Sequence, residues 1–108
     1  MLVVEDEQSL RLLCRINLEL EGFDVVEAAS LAEARAALAA CEPAVVLLDL
    51  GIGRESGAEL LPELRAPVAL LTGSAAIDPE VERGTAACLR KPFSIDDLIA
   101  TVTALAAR

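Results

Sequence analysis

Histidine is absent from this 108-residue chain, as are Trp and Tyr. Without histidine, Ser-His-Asp and Cys-His catalysis are excluded. The only aromatics are Phe23 and Phe93, too few for the stacking platforms of a single-strand nucleic-acid binder. Positive charge is scarce as well. Nine Lys and Arg face eighteen Asp and Glu, a formal net charge of −9. The basic residues do not cluster, so the chain should repel nucleic acid and anionic lipid. Neither direct nucleic-acid binding nor membrane association is expected.

Cysteine is limited to Cys14, Cys41 and Cys88, widely spaced and without a Cys-x-x-Cys pair. Neither a disulfide framework nor a zinc site fits that set. Reduced, mostly buried thiols in a cytoplasmic protein are expected. No apolar run approaches the length of a membrane span. The start, Met1-Leu2-Val3-Val4-Glu5, lacks the basic segment and long apolar core of a signal peptide.

What is present is aliphatic. Hydrophobic residues make up 55% of the chain, enough for one core in one domain over residues 1–108. Short apolar runs predict strands over residues 2–5, 23–28, 44–48, 68–71 and 86–89. Helical spacing of Leu10, Leu13, Ile16 and Leu20 predicts a helix over residues 7–21, with Gly22 as a left-handed cap. Ser30-Leu31-Ala32-Glu33 has the form of a capping box and opens an Ala-rich helix. Further helices are predicted over residues 57–65, over residues 78–83 and after Ser94. Five strands alternating with five helices define a doubly wound α/β domain around a parallel sheet.

Acids close two of these strands. Glu5 and Asp6 follow the first, and Asp49 ends the most apolar run, Val45-Val46-Leu47-Leu48. The carboxyl edge of such a sheet is where ligands bind. Magnesium prefers oxygen ligands and keeps several waters, so two carboxylates from neighbouring strand ends suit it. Strand-end acids are common as solvated loop residues, and Asp49 alone would mean little. Thr72 ends the fourth strand and Lys91 follows the fifth. They add a hydroxyl donor and a compact cation suited to a phosphoryl oxygen. Together these groups match one task, phosphoryl acceptance beside a metal.

The chain resembles the receiver domain of two-component response regulators. The resemblance rests on Leu2-Val3-Val4-Glu5-Asp6-Glu7, on Val46-Leu47-Leu48-Asp49-Leu50 with Gly57 downstream, on Leu71-Thr72-Gly73, and on Leu89-Arg90-Lys91-Pro92-Phe93. It covers essentially the whole chain. It implies a flavodoxin-like strand order 2-1-3-4-5 and a signalling domain rather than a metabolic enzyme. Asp49 would be the phosphoacceptor, taking its phosphoryl group from a histidine kinase or histidine phosphotransfer protein. Asp6 would bind Mg2+ (or Mn2+) directly and Glu5 through water, with Asp49 and the Gly51 carbonyl completing the ligands. Thr72 and Lys91 would read the phosphoryl group, and Lys91-Pro92 would be cis. A downstream protein effector is implied. The other readings are a pseudo-receiver acting as a constitutive interaction module and, ranked last, a small magnesium phosphohydrolase.

Four features depart from the family pattern. The first strand starts at Met1, which predicts a fraying amino end. Gly53 replaces a common proline and is expected to loosen its loop. Cys88 stands at a usual aromatic position and is expected to be a small buried residue. The stretch from Thr72 to Gly84 is short, so the fourth helix should be short and the usual dimer face altered. Gly51 and Ser74, both small, predict a phosphoryl lifetime that is not unusually long.

Overall fold

A computed structural model describes residues 1–73 and 76–107. Strands β1 (Leu2–Val4), β2 (Val26–Ala28), β3 (Val46–Asp49), β6 (Val68–Thr72) and β7 (Ala87–Arg90) form a five-stranded sheet of order β2-β1-β3-β6-β7. Every neighbouring pair is parallel. Between β3 and β6 lies an unforeseen ladder, β4 (Gly51–Ile52) antiparallel to β5 (Glu55–Ser56). The α-helices are α1 (Gln8–Leu20), α2 (Leu31–Ala40), α3 (Pro79–Arg83) and α4 (Ile95–Ala106). The remaining helical segment, Gly57–Glu63, is 3-10 rather than α and contains Pro62. Proline offers no N–H and crowds the preceding turn, which opposes α-helix there.

Side chains on a strand alternate between faces, and here both faces are apolar. Val3, Leu47, Ala69 and Leu71 pack with Cys14 and Leu18 of α1 and Leu98, Val102 and Leu105 of α4. Leu2, Val4, Val46, Leu48, Val68 and Leu70 pack with Leu31 and Ala34 of α2 and Leu60 of the 3-10 helix. A strand covered on both sides reads as an unbroken apolar run, as β3 does.

The helix ends follow their residues. Gly22 adopts φ +94°. Its N–H bonds the Glu19 carbonyl, and the Phe23 N–H bonds that of Leu18, a paired closure of the helix end that favours glycine. Ser30 Oγ accepts the Glu33 N–H at 3.1 Å, and Glu33 Oε1 accepts the Ala29 N–H at 2.8 Å. Ser94 Oγ caps α4 by accepting the Asp97 N–H at 3.0 Å.

Two expectations need correcting. The amino end of β1 is bonded on both sides: Leu2 N–H donates to Val45 and the Met1 carbonyl accepts from Val26. Cys41 and Cys88 are exposed, and only Cys14 is buried. Along β7, Cys88 and Arg90 are exposed and alternate with half-buried Ala87 and buried Leu89. Gly53 stands in a defined position. It takes φ +60° in the two-residue turn that closes the β4–β5 ladder, where a left-handed glycine is favoured.

Candidate functional site

Strand ends on the carboxyl side of β1, β3, β6 and β7 bring the expected residues together. Asp49 closes β3 opposite Leu71 of β6 and is 7% exposed. Its Oδ1 accepts the Gly51 N–H at 3.0 Å. Its Oδ2 accepts from Lys91 Nζ at 2.9 Å. Gly57 returns against this strand end, where its N–H donates to the Leu50 carbonyl at 2.8 Å. A Cβ at Gly57 would overlap the Asp49 carbonyl oxygen, so this close approach requires glycine.

Glu5 is 1% exposed. Its Oε2 accepts from Lys91 Nζ at 3.0 Å, and its Oε1 accepts the Glu7 N–H at 3.2 Å. Burial, reinforced by the neighbouring Asp49, raises the Glu5 carboxyl from 4.5 to about 7 against the opposing pull of Lys91. A buried carboxylate beside another resists ionisation in this way. On Lys91, burial pulls the ammonium down, but the bonds to Asp49 and Glu5 outweigh it and its pKa is raised. The lysine is therefore a fixed cation bridging two acids.

Asp6 is exposed, and its Oδ2 accepts the Gly53 N–H at 2.8 Å. Glu5, Asp6 and Asp49 each offer a carboxylate oxygen, all within 4.8 Å of one another. Oxygen donors at this spacing, with repulsion already evident at Glu5, fit a hard divalent cation. Thr72 is 3% exposed, and its carbonyl accepts the Lys91 N–H at 2.7 Å, tying the ends of β6 and β7 together. Lys91-Pro92 is cis. Asp49, Gly51 and Thr72 line one cleft of about 680 Å³ that runs toward α3. Ser74 lies outside the described residues.

Sequence reasoning missed two contacts. One is the Gly53 N–H on Asp6. The loss of the usual proline was its signal, since proline has no N–H to give. The other is Arg11, whose Nη1 donates to the Glu5 carbonyl at 2.9 Å. No sequence pattern points to that bond.

Four strands thus converge on an acid cluster around a lysine, with two of its three carboxylates buried. The profile described as "Response regulator receiver domain" matches residues 1–103; the chain belongs to this family. It is similar to the transcriptional regulatory protein KdpE of Mycobacterium tuberculosis, 35% identical over 114 aligned positions, covering 99% of this chain and 50% of that protein. The chain therefore spans about half the length of such relatives. The solved receiver domain of NtrX from Brucella abortus superposes with a TM-score of 0.87 at 29% identity, covering 98% of this chain and 97% of the other. A Burkholderia pseudomallei response regulator, solved with a phosphorylated aspartic acid, calcium ion and citrate, gives a TM-score of 0.86 at 25% identity, covering 98% and 67% respectively.

Proposed function

We propose that this chain acts as one receiver unit over residues 1–108, accepting a phosphoryl group on Asp49. The observation that supports this most is the double contact of Lys91 Nζ, to Asp49 at 2.9 Å and Glu5 at 3.0 Å. A cation already sits where the phosphoryl oxygens and their charge would arrive. Glu5, Asp6, Asp49 and the Gly51 carbonyl would hold Mg2+ (or Mn2+), which neutralises charge on the transferring group. The phosphorylated aspartate and calcium ion of the Burkholderia relative support that pairing.

The chain's own groups then have distinct roles. Asp49 Oδ is the nucleophile, its other oxygen oriented by the Gly51 N–H. Lys91 neutralises the incoming phosphoryl charge, releasing Glu5 to its other partners. The Thr72 hydroxyl donates to the phosphoryl oxygens and transmits their arrival to β6. The step is phosphoryl transfer from a donor phosphohistidine to a carboxylate oxygen. The donor histidine lies outside this chain, which has none.

A docking face for that donor lies on α1. Leu12, Leu13 and Ile16 are each about half exposed and Leu20 is 79% exposed. Beside them a groove formed by Leu10, Leu13, Pro92 and Phe93 leads to Lys91. An apolar helix face bordering the site suits a partner helix carrying the phosphohistidine. The output would be a protein contact rather than nucleic acid, given the net charge of −9. Among the described residues no helix is long and apolar enough to cross a membrane. Three free thiols suit a reducing compartment, which supports a cytoplasmic location.

Incubation with acetyl phosphate followed by intact mass measurement tests this reading. A gain of one phosphoryl group is expected with Mg2+, absent without it and absent in Asp49→Asn. A second reading, the constitutive interaction module, draws on the exposed Cys88 and five-residue α3. It is favoured if wild type neither gains mass nor binds Mg2+ or beryllofluoride.

A further inference from the structure

Arg11 touches none of the reacting groups, yet it determines how two of them leave the sheet. The ladder of β1 ends at Val4, and the backbone of Glu5 lies beyond it. Both backbone groups of Glu5 are nonetheless bound. Its N–H donates to the Ala28 carbonyl at 3.0 Å, and its carbonyl accepts Arg11 Nη1 at 2.9 Å. Arg11 is itself held, its Nε donating to Glu27 Oε1 at 3.0 Å. The other oxygen of Glu27 accepts Arg15 Nη1 at 2.8 Å, and Arg15 Nε reaches Glu19 at 3.2 Å. Glu27 and Ala28 are neighbours on β2, so both backbone bonds of Glu5 trace back to the same edge strand.

The peptide joining Glu5 to Asp6 is planar. Fixing its oxygen fixes the direction in which Asp6 departs. Glu5 turns inward to Lys91, and Asp6 turns outward to the Gly53 N–H. We propose that Arg11, anchored by Glu27, is a positioning residue that holds the Glu5–Asp6 peptide plane and so presets the acid pair for a divalent cation. The proposal rests on reading Glu5, Asp6 and Asp49 as cation ligands. The plainer role for Arg11 is an ion pair tying α1 to β2. Its side chain is only 14% exposed and that of Glu27 22%. Such a pair would affect stability but not cation affinity.

Three variants separate these roles. Arg11→Gln removes the guanidinium that spans from the Glu5 carbonyl to Glu27. Arg11→Lys keeps one donor but not the fork that serves both acceptors. Arg15→Gln breaks the outer pairs and leaves the Glu5 carbonyl bound. Titration with Mg2+ should show affinity weakened about tenfold in Arg11→Gln, the usual effect of losing a group that orients a ligand. Arg11→Lys should fall between it and wild type, and Arg15→Gln should match wild type. The second readout needs no metal. The Asp6 amide, in the same peptide plane, should shift in a 15N–1H spectrum of metal-free Arg11→Gln and stay in place in Arg15→Gln.

Wild-type Mg2+ affinity in a folded Arg11→Gln overturns the proposal, as does an unmoved Asp6 amide. A wild type that takes no Mg2+, while its Asp6 amide still responds to Arg11→Gln, overturns the cation reading and retains the peptide-plane contact. If Arg11→Gln does not fold, Glu27→Gln supplies the same test. It should weaken Mg2+ binding by less and in the same direction, and unchanged binding there overturns the proposal.

Discussion

On one flank of Asp49, the β1–α1 turn is braced residue by residue. Glu5 is held through its carbonyl and its side chain, Asp6 by Gly53, and the Glu7 N–H by Glu5. On the other flank, beyond Thr72, β7 has one bare face and α3 buries no residue. Few buried contacts mean low local stability. The contrast suggests a division of labour. The acid side holds three carboxylates at a spacing that suits a divalent cation. On the other flank Thr72 itself is buried, and the thin packing is confined to α3 and the outer face of β7.

The largest expected effect that tests this contrast is at the braced strand end. Gly57→Ala puts a methyl group into the Asp49 carbonyl, which is backbone and cannot rotate away. We expect a loss of about 3 kcal/mol in urea unfolding, and an unchanged midpoint would mean the approach is not tight. Lys91→Met comes next. It leaves Glu5 and Asp49 without their shared cation, at about 2 kcal/mol near pH 8. At pH 5 the loss should shrink, because Glu5 then takes up a proton. An equal loss at both pH values would contradict the bridging role.

A third effect concerns Glu5 itself. Its folded value of about 7 lies above the 4.5 of an ordinary glutamate. The fold therefore binds a proton that the unfolded chain has already released. Stability from this group is present below pH 4.5 and is lost as pH rises toward 7. Metal-free protein should show that slope in thermal unfolding, and Glu5→Gln should flatten it. Saturating Mg2+ should oppose the loss at pH 8. The least effect is expected on the thin flank. Cys88→Tyr places a ring on an exposed position and should change stability by less than about 0.5 kcal/mol. A large gain would show that this flank is a packed surface after all.

The sheet and its carboxyl edge were legible because apolar runs and strand-end acids are local signals. Val45 to Asp49 read as strand and ligand from adjacent residues alone. The 3-10 segment was read as a helix over residues 57–65, since the pattern of Leu60 and Leu61 says nothing about hydrogen-bond step. Pro62 was the overlooked sign. Cys88 is exposed on β7, and its small apolar neighbours in the run Ala86-Ala87-Cys88-Leu89 do not say which face of an edge strand stays uncovered. Arg11 was invisible for a related reason. Its bond to a backbone carbonyl across a turn depends on where β2 places Glu27, and no spacing in the chain encodes that.

The central claim is that the convergent strand ends make Asp49, among three neighbouring carboxylates, the group that takes the phosphoryl. Borohydride reduction after phosphorylation tests it most directly, because it converts an acyl phosphate into the corresponding alcohol. Peptide sequencing should then find homoserine at position 49, only in samples phosphorylated with Mg2+. Reduction at Asp6 or Glu5 instead, or phosphoryl uptake with no reduced carboxylate, would contradict the account.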